Sequence, residues 1–225
     1  MQAVVFWKKW IKKLFIYGSI VFVLTCLAYA NALQSAVVVQ LNKEFSFVGK
    51  SCESVGVGSF ETQQIGGAGY VLTDENGSYV AVGVYTSGMD AERVANSLQG
   101  DYNVMSISAN DLYFTTKAQK KNAEIYQGAF RSLDGCMQVL SQEIARLESG
   151  ATQQSSKRIL NGLKRQFAYL SKTNEDVFPT FAFVCENAER GLEEIALDTV
   201  TAQKLRYLLC QWSVEYCQLA REFLP

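Results

Sequence analysis

Tyr79 and Tyr70 are the side chains best suited by type and spacing to hold a ligand. Residues 79–85 alternate strictly, with Val80, Val82 and Val84 to one side and Tyr79, Ala81, Gly83 and Tyr85 to the other. Tyr70 belongs to a preceding strand, and Gly56 and Gly58 extend the same floor of small residues on the first. A tyrosine over such a floor suits a sugar chain, because its ring packs on apolar C–H surface while its hydroxyl bonds to a sugar hydroxyl. The competing arrangement is that helices cover this face and the tyrosines are core.

Other chemistry is poorly provided for. The chain has no histidine, so it lacks the usual base for a serine or cysteine nucleophile and the commonest zinc ligand. Its six cysteines, Cys26, Cys52, Cys136, Cys185, Cys210 and Cys217, include no Cys-x-x-Cys pair. The last four lie on or beside apolar helical stripes, as small buried hydrophobes or as a disulfide between neighbouring helices. Glu193-Glu194 and Asp90/Glu92 fall on helix surfaces, whereas a glycosidase needs two acids facing across a cleft. Gly66-Gly67-Ala68-Gly69 lacks the lysine and the following helix of a phosphate loop. No enzyme activity, cofactor or metal is expected.

The elements that position the tyrosines repeat a pattern. Residues 55–60, Val-Gly-Val-Gly-Ser-Phe, and residues 80–85, Val-Ala-Val-Gly-Val-Tyr, both read Val-x-Val-Gly-x-aromatic. Alternation before a glycine predicts a half-buried strand for each copy. Asn76-Gly77, between Tyr70–Thr73 and Tyr79–Val82, predicts a hairpin. Ser87 or Thr86 caps a helix over 89–98 with Ala91, Val94, Ala95 and Leu98 on its apolar face, and Gly100 ends it before a strand over 102–107. The segment Glu61–Ile65 leaves barely one helical turn after the first copy.

The duplicated Val-x-Val-Gly-x-(Phe/Tyr), the lead-in Gly66-Gly67-Ala68-Gly69-Tyr70-Val71 and the helix Ala91-Glu92-Arg93-Val94 resemble a SPOR domain, the sporulation-related repeat of bacterial envelope proteins. Within that family they are most similar to the variant in membrane-anchored proteins of Gram-positive bacteria. The resemblance implies a four-stranded antiparallel sheet backed by helices. It also implies that the open sheet face binds peptidoglycan glycan strands, with Tyr79 and Tyr70 binding and Gly56, Ala81 and Gly83 giving access.

Lys8, Lys9, Lys12 and Lys13 precede twenty uncharged residues, Leu14 to Leu33, long enough to cross a bilayer with the lysines on the cytoplasmic side. Ala28-Tyr29-Ala30 offers the alternative of a cleaved signal peptide. Either way the remainder is exported. Residues 42–115 carry three Lys/Arg against nine Asp/Glu, which gives no basic groove for nucleic acid.

After Phe114 the period changes. Tyr126 to Leu147, Ile159 to Leu170, Phe183 to Ile195 and Leu205 to Phe223 repeat at three and four, stopped by Ser149-Gly150 and by residues 171–174, with Pro179 opening the third. Four helices on short links predict a bundle, its stripes being plain core or a partner-binding groove. The expected organisation is α+β: a lysine cluster and transmembrane anchor over 1–39, a linker over 40–53, the SPOR-like sheet over 54–115 and the helical domain over 116–225. The expected function is attachment to wall glycan, with the helices recruiting an unidentified protein partner. The alternative is an envelope interaction protein whose sheet binds no sugar.

Overall fold

The computed structural model describes residues 37–74 and 77–224, together with Phe22 and Thr25. The expected anchor over 14–33 and the Ala28-Tyr29-Ala30 site otherwise lie outside the described residues. Among the described residues no helix is long and apolar enough to cross a membrane.

The protein is α+β. Strand β1 (Val37–Val39) leads to β2 (Glu44–Cys52), α1 (Val55–Gln64), β3 (Tyr70–Asp74), β4 (Gly77–Tyr85), α2 (Gly88–Ser97), β5 (Asn103–Ser108) and β6 (Leu112–Phe114). Then come α3 (Lys117–Lys121) and four long helices: α4 (Ala123–Glu148), α5 (Gln153–Asn174), α6 (Pro179–Leu197) and α7 (Ala202–Arg221). Strands β3-β4-β2-β5 form one antiparallel sheet, and β1 pairs with β6 in a separate ribbon. The order β-α-β-β-α-β over 44–108 is a split β-α-β arrangement with its first and third strands in the centre.

Two expectations need correction here. Residues 44–52, expected as linker, are the central strand β2, in which Phe45 and Phe47 are buried on one face and Ser46 and Val48 on the other. The first copy of the repeat, expected as a strand, is helix α1, so Gly56 is helical and Glu61–Gln64 completes a helix begun at Val55. Two glycines in a helix cost about 1 kcal/mol each relative to alanine. Packing offsets part of this, since a Cβ on Gly58 would stand 2.4 Å from Cys52 Sγ and 3.2 Å from Val80 Cγ2. The second copy is strand β4, as expected. The two copies share a pattern and not a conformation.

Helix α2 follows its sequence closely. The Ser87 hydroxyl accepts from the Asp90 N–H at 3.3 Å, and Ala91 and Ala95 are buried. They join Val48 and Val82 in a small core between sheet and helix. The predicted hairpin is present as the β3–β4 pair, closed by Asp74 opposite Gly77.

The long helices pack in sequence, α4 on α5, α5 on α6, α6 on α7 and α7 back on α4. Gly150 at φ +91° ends α4, Thr152 caps α5, Pro179 opens α6 and Thr201 caps α7. On α6 the stripe runs through Phe181, Val184, Cys185, Ala188 and Leu192, while Phe183, expected inside, is 59% exposed. Phe183 lies a helical step off that stripe.

The expected boundary at 115/116 does not divide the packing. One continuous core holds Phe45, Phe47, Tyr79 and Ala81 of the sheet together with Leu205, Tyr216 and Phe223 of the helical half. Residues 37–39, expected as the end of the anchor, pair with 112–114, and the Tyr113 N–H donates to the Phe223 carbonyl at 3.1 Å.

Candidate functional site

The sheet face expected to be open is covered by α7, which packs on β4 and also touches β3 and β5. Tyr216 meets Phe45 edge-on with ring centroids 5.5 Å apart, and Tyr207 meets Tyr70 edge-on at 5.1 Å. Tyr70 is half-buried, and its hydroxyl is pushed up to about 12, by burial first and then by Tyr207 and Glu215.

Tyr79 is buried. Its hydroxyl lies 3.0 Å from the Phe47 carbonyl and 2.6 Å from the Asn103 carbonyl, sharing its proton between them. Burial raises its pKa as well. The ring reaches β5 by crossing β2 at Gly49, where a Cβ would stand 2.7 Å from Tyr79 Cε1 and 2.2 Å from the Val80 carbonyl oxygen. Tyr79 is thus a pin across three strands. Gly49 makes the crossing possible and was not singled out in the sequence, although its place after Phe45-Ser46-Phe47-Val48 is a strand signal.

The remaining expected site residues separate. Ala81 is fully buried opposite Gly49 and Tyr70. Gly83 is buried, with Arg206 Cδ and the Tyr85 hydroxyl both 3.8 Å from a Cβ built there. Gly56 lies exposed on α1, across the sheet from Tyr79. Alternation along β4 also changes midway. The register steps from Val48 opposite Gly83 to Gly49 opposite Ala81, leaving Val82 as the extra residue of a bulge. Val84 therefore packs with Phe47 on the α7 face, while Val82 joins the small core beneath α2.

A cleft of about 470 Å³ opens where the end of β4 meets α4 and α7. Lys43 pairs with Asp134 on one wall, and Arg206 pairs with Glu148 on another while donating to the Gly66 carbonyl at 2.7 Å. Asp90, at the mouth, pairs with Arg93 at 3.1 Å. Each carboxylate of the cleft thus has a cation partner. Arg206 ties α7 to both α4 and the glycine loop, a role that only the fold reveals.

Two further acids are drawn into the helical half, Glu143 buried and Glu215 half-buried. Glu143 accepts from Ser156 Oγ at 2.5 Å and from Arg146 at 2.7 Å. Glu215 accepts from Gln211 at 3.0 Å through Oε1, its Oε2 is buried without a hydrogen-bond partner among the described residues, and burial raises its pKa. Cys136, Cys185, Cys210 and Cys217 are buried free thiols, Cys136 and Cys217 pushed up to about 11 by burial, so they remain protonated and weakly nucleophilic at neutral pH. Among the described residues no group of three or more His, Cys, Asp or Glu side chains is arranged to hold a metal. Compared with family models, curated proteins and solved structures, the chain matches none.

Proposed function

We propose that this chain is a non-enzymatic protein of the bacterial cell envelope, held at the membrane by residues 14–33, whose SPOR-like sheet works through protein contacts and not by binding glycan. The observation that carries this reading is the seat of α7 on the sheet face, with Tyr79 buried and Tyr70 against Tyr207. A glycan strand lying across Tyr70 and Ala81 would have to displace a helix whose Leu205, Trp212 and Tyr216 are core residues, while Tyr79 also lines a separate cavity of about 490 Å³ with Ser51, Cys52, Ser78 and Met105. The sheet over 44–108 has the four antiparallel strands backed by helices that the resemblance implies, although its first strand is β2 and not residues 55–60. On this reading the sheet is the platform on which the four long helices are mounted, and the helices and the exposed α1 surface meet the partners. Val57 and Phe60 of α1 are 56% and 61% exposed, an apolar pair at helical spacing.

The test is co-sedimentation of the detergent-solubilised chain with intact sacculi and with sacculi stripped of stem peptides by an amidase. Equal, low pelleting with both is expected. Selective pelleting with the stripped wall would overturn the reading and return the function to glycan attachment.

A further inference from the structure

We propose that helix α3 and the outer end of the β1–β6 ribbon form a contact surface for anionic lipid headgroups. The inference rests on the reading of residues 14–33 as a membrane anchor. Only residues 34–36 separate Leu33 from Val37, a reach of at most about 14 Å of chain. Val37 pairs with Phe114, and α3 starts three residues beyond Phe114, so the place where the chain enters the fold and the start of α3 adjoin.

Helix α3 reads Lys117-Ala118-Gln119-Lys120-Lys121, three lysines without an acid. It is held in place by a capping box, in which Gln119 N–H donates to Thr116 Oγ1 at 3.1 Å and the Gln119 side chain accepts from the Thr116 N–H at 3.0 Å. Lys117 and Lys121 are exposed and form no ion pair among the described residues, unlike Lys43, Lys50, Lys164 and Lys204. At the adjoining end of the ribbon Val37 and Val38, on opposite faces of β1, are 45% and 46% exposed. Lysines next to exposed apolar side chains suit the boundary between headgroups and acyl chains.

The acids at this end of the bundle, Glu124, Glu175, Asp176 and Glu222, are offset in part by Lys172 and Arg221. Positive charge is therefore concentrated along α3, and its field reaches only about 8 Å at physiological salt. The contact is a line along α3, not a broad face.

The full chain, reconstituted in nanodiscs of phosphatidylcholine alone or mixed with phosphatidylglycerol, would be acetylated on its amines and read residue by residue by mass spectrometry. Labelling of Lys117 and Lys121 should fall about fivefold in the anionic discs, with Lys157 at the start of α5 unchanged. Equal labelling of Lys117 and Lys121 in both discs would overturn the inference while leaving the anchor intact. Failure of the chain to enter either disc would overturn the anchor reading, and the lipid surface with it.

Discussion

On one side of the sheet, α1 and α2 press small residues, Gly58, Ala91 and Ala95, close to Cys52, Val48 and Val82. On the other, α7 covers Phe45, Tyr79 and Ala81 through aromatic contacts and is itself backed by α4 and α6. The thin side depends on backbone approach, which glycine and alanine permit. The thick side depends on filled volume, which large rings supply. The first is sensitive to added atoms and the second to removed ones. Both sides of this sheet are packed by helices.

Deleting volume from the thick side should have the largest effect. Phe45→Ala removes a ring that is 2% exposed and touches Tyr216. It should cost about 3–5 kcal/mol in urea unfolding; a loss near zero would mean α7 is not seated there. Gly49→Ala adds one carbon against the Val80 carbonyl, which is backbone and cannot step aside. An expected cost of about 1–3 kcal/mol, with an altered near-UV signal from Tyr79, would support the strand-crossing geometry.

On the thin side the sign reverses where the helix faces water. Gly56 has nothing within 4 Å of a Cβ, so Gly56→Ala should stabilise the protein by about 0.5–1 kcal/mol through helix propensity. Destabilisation by this substitution would argue that residues 55–60 are not helical. The remaining effect is confined to alkaline solution. The unfolded chain ionises Tyr70 from its ordinary 10.0, while the folded chain keeps the proton to about 12. This contribution is fully present below pH 10 and is lost as pH rises to about 12. Tyr70→Phe should flatten the fall of Tm across that window, and identical profiles would remove Tyr70 from the account.

The helical half was legible because its signals are local. Ser149-Gly150, Pro179 and the stripe from Leu205 to Phe223 each act within a few residues, and all appear where expected. The α2 cap at Ser87 and the hairpin before β4 were legible for the same reason. The candidate site was legible as a set of residue types and not as a surface. Tyr79 and Tyr70 do share a face, but what covers it lies more than a hundred residues further along the chain.

By itself, then, the sequence determined the α+β class, the four long helices, the stop at Ser149-Gly150, the start at Pro179 and the β4-α2-β5 run, since periodicity and chain breakers are properties of neighbouring residues. Only the tertiary structure decided that Val-x-Val-Gly-x-aromatic is helix at 55–60 and strand at 80–85. The local preferences of such a segment nearly balance, and contact with Cys52 and Val80 in one case, or pairing with β2 and β3 in the other, tips them. Tertiary structure also decided that the tyrosine face is covered, because the meetings of Phe45 with Tyr216 and of Tyr70 with Tyr207 join parts of the chain that no local pattern connects.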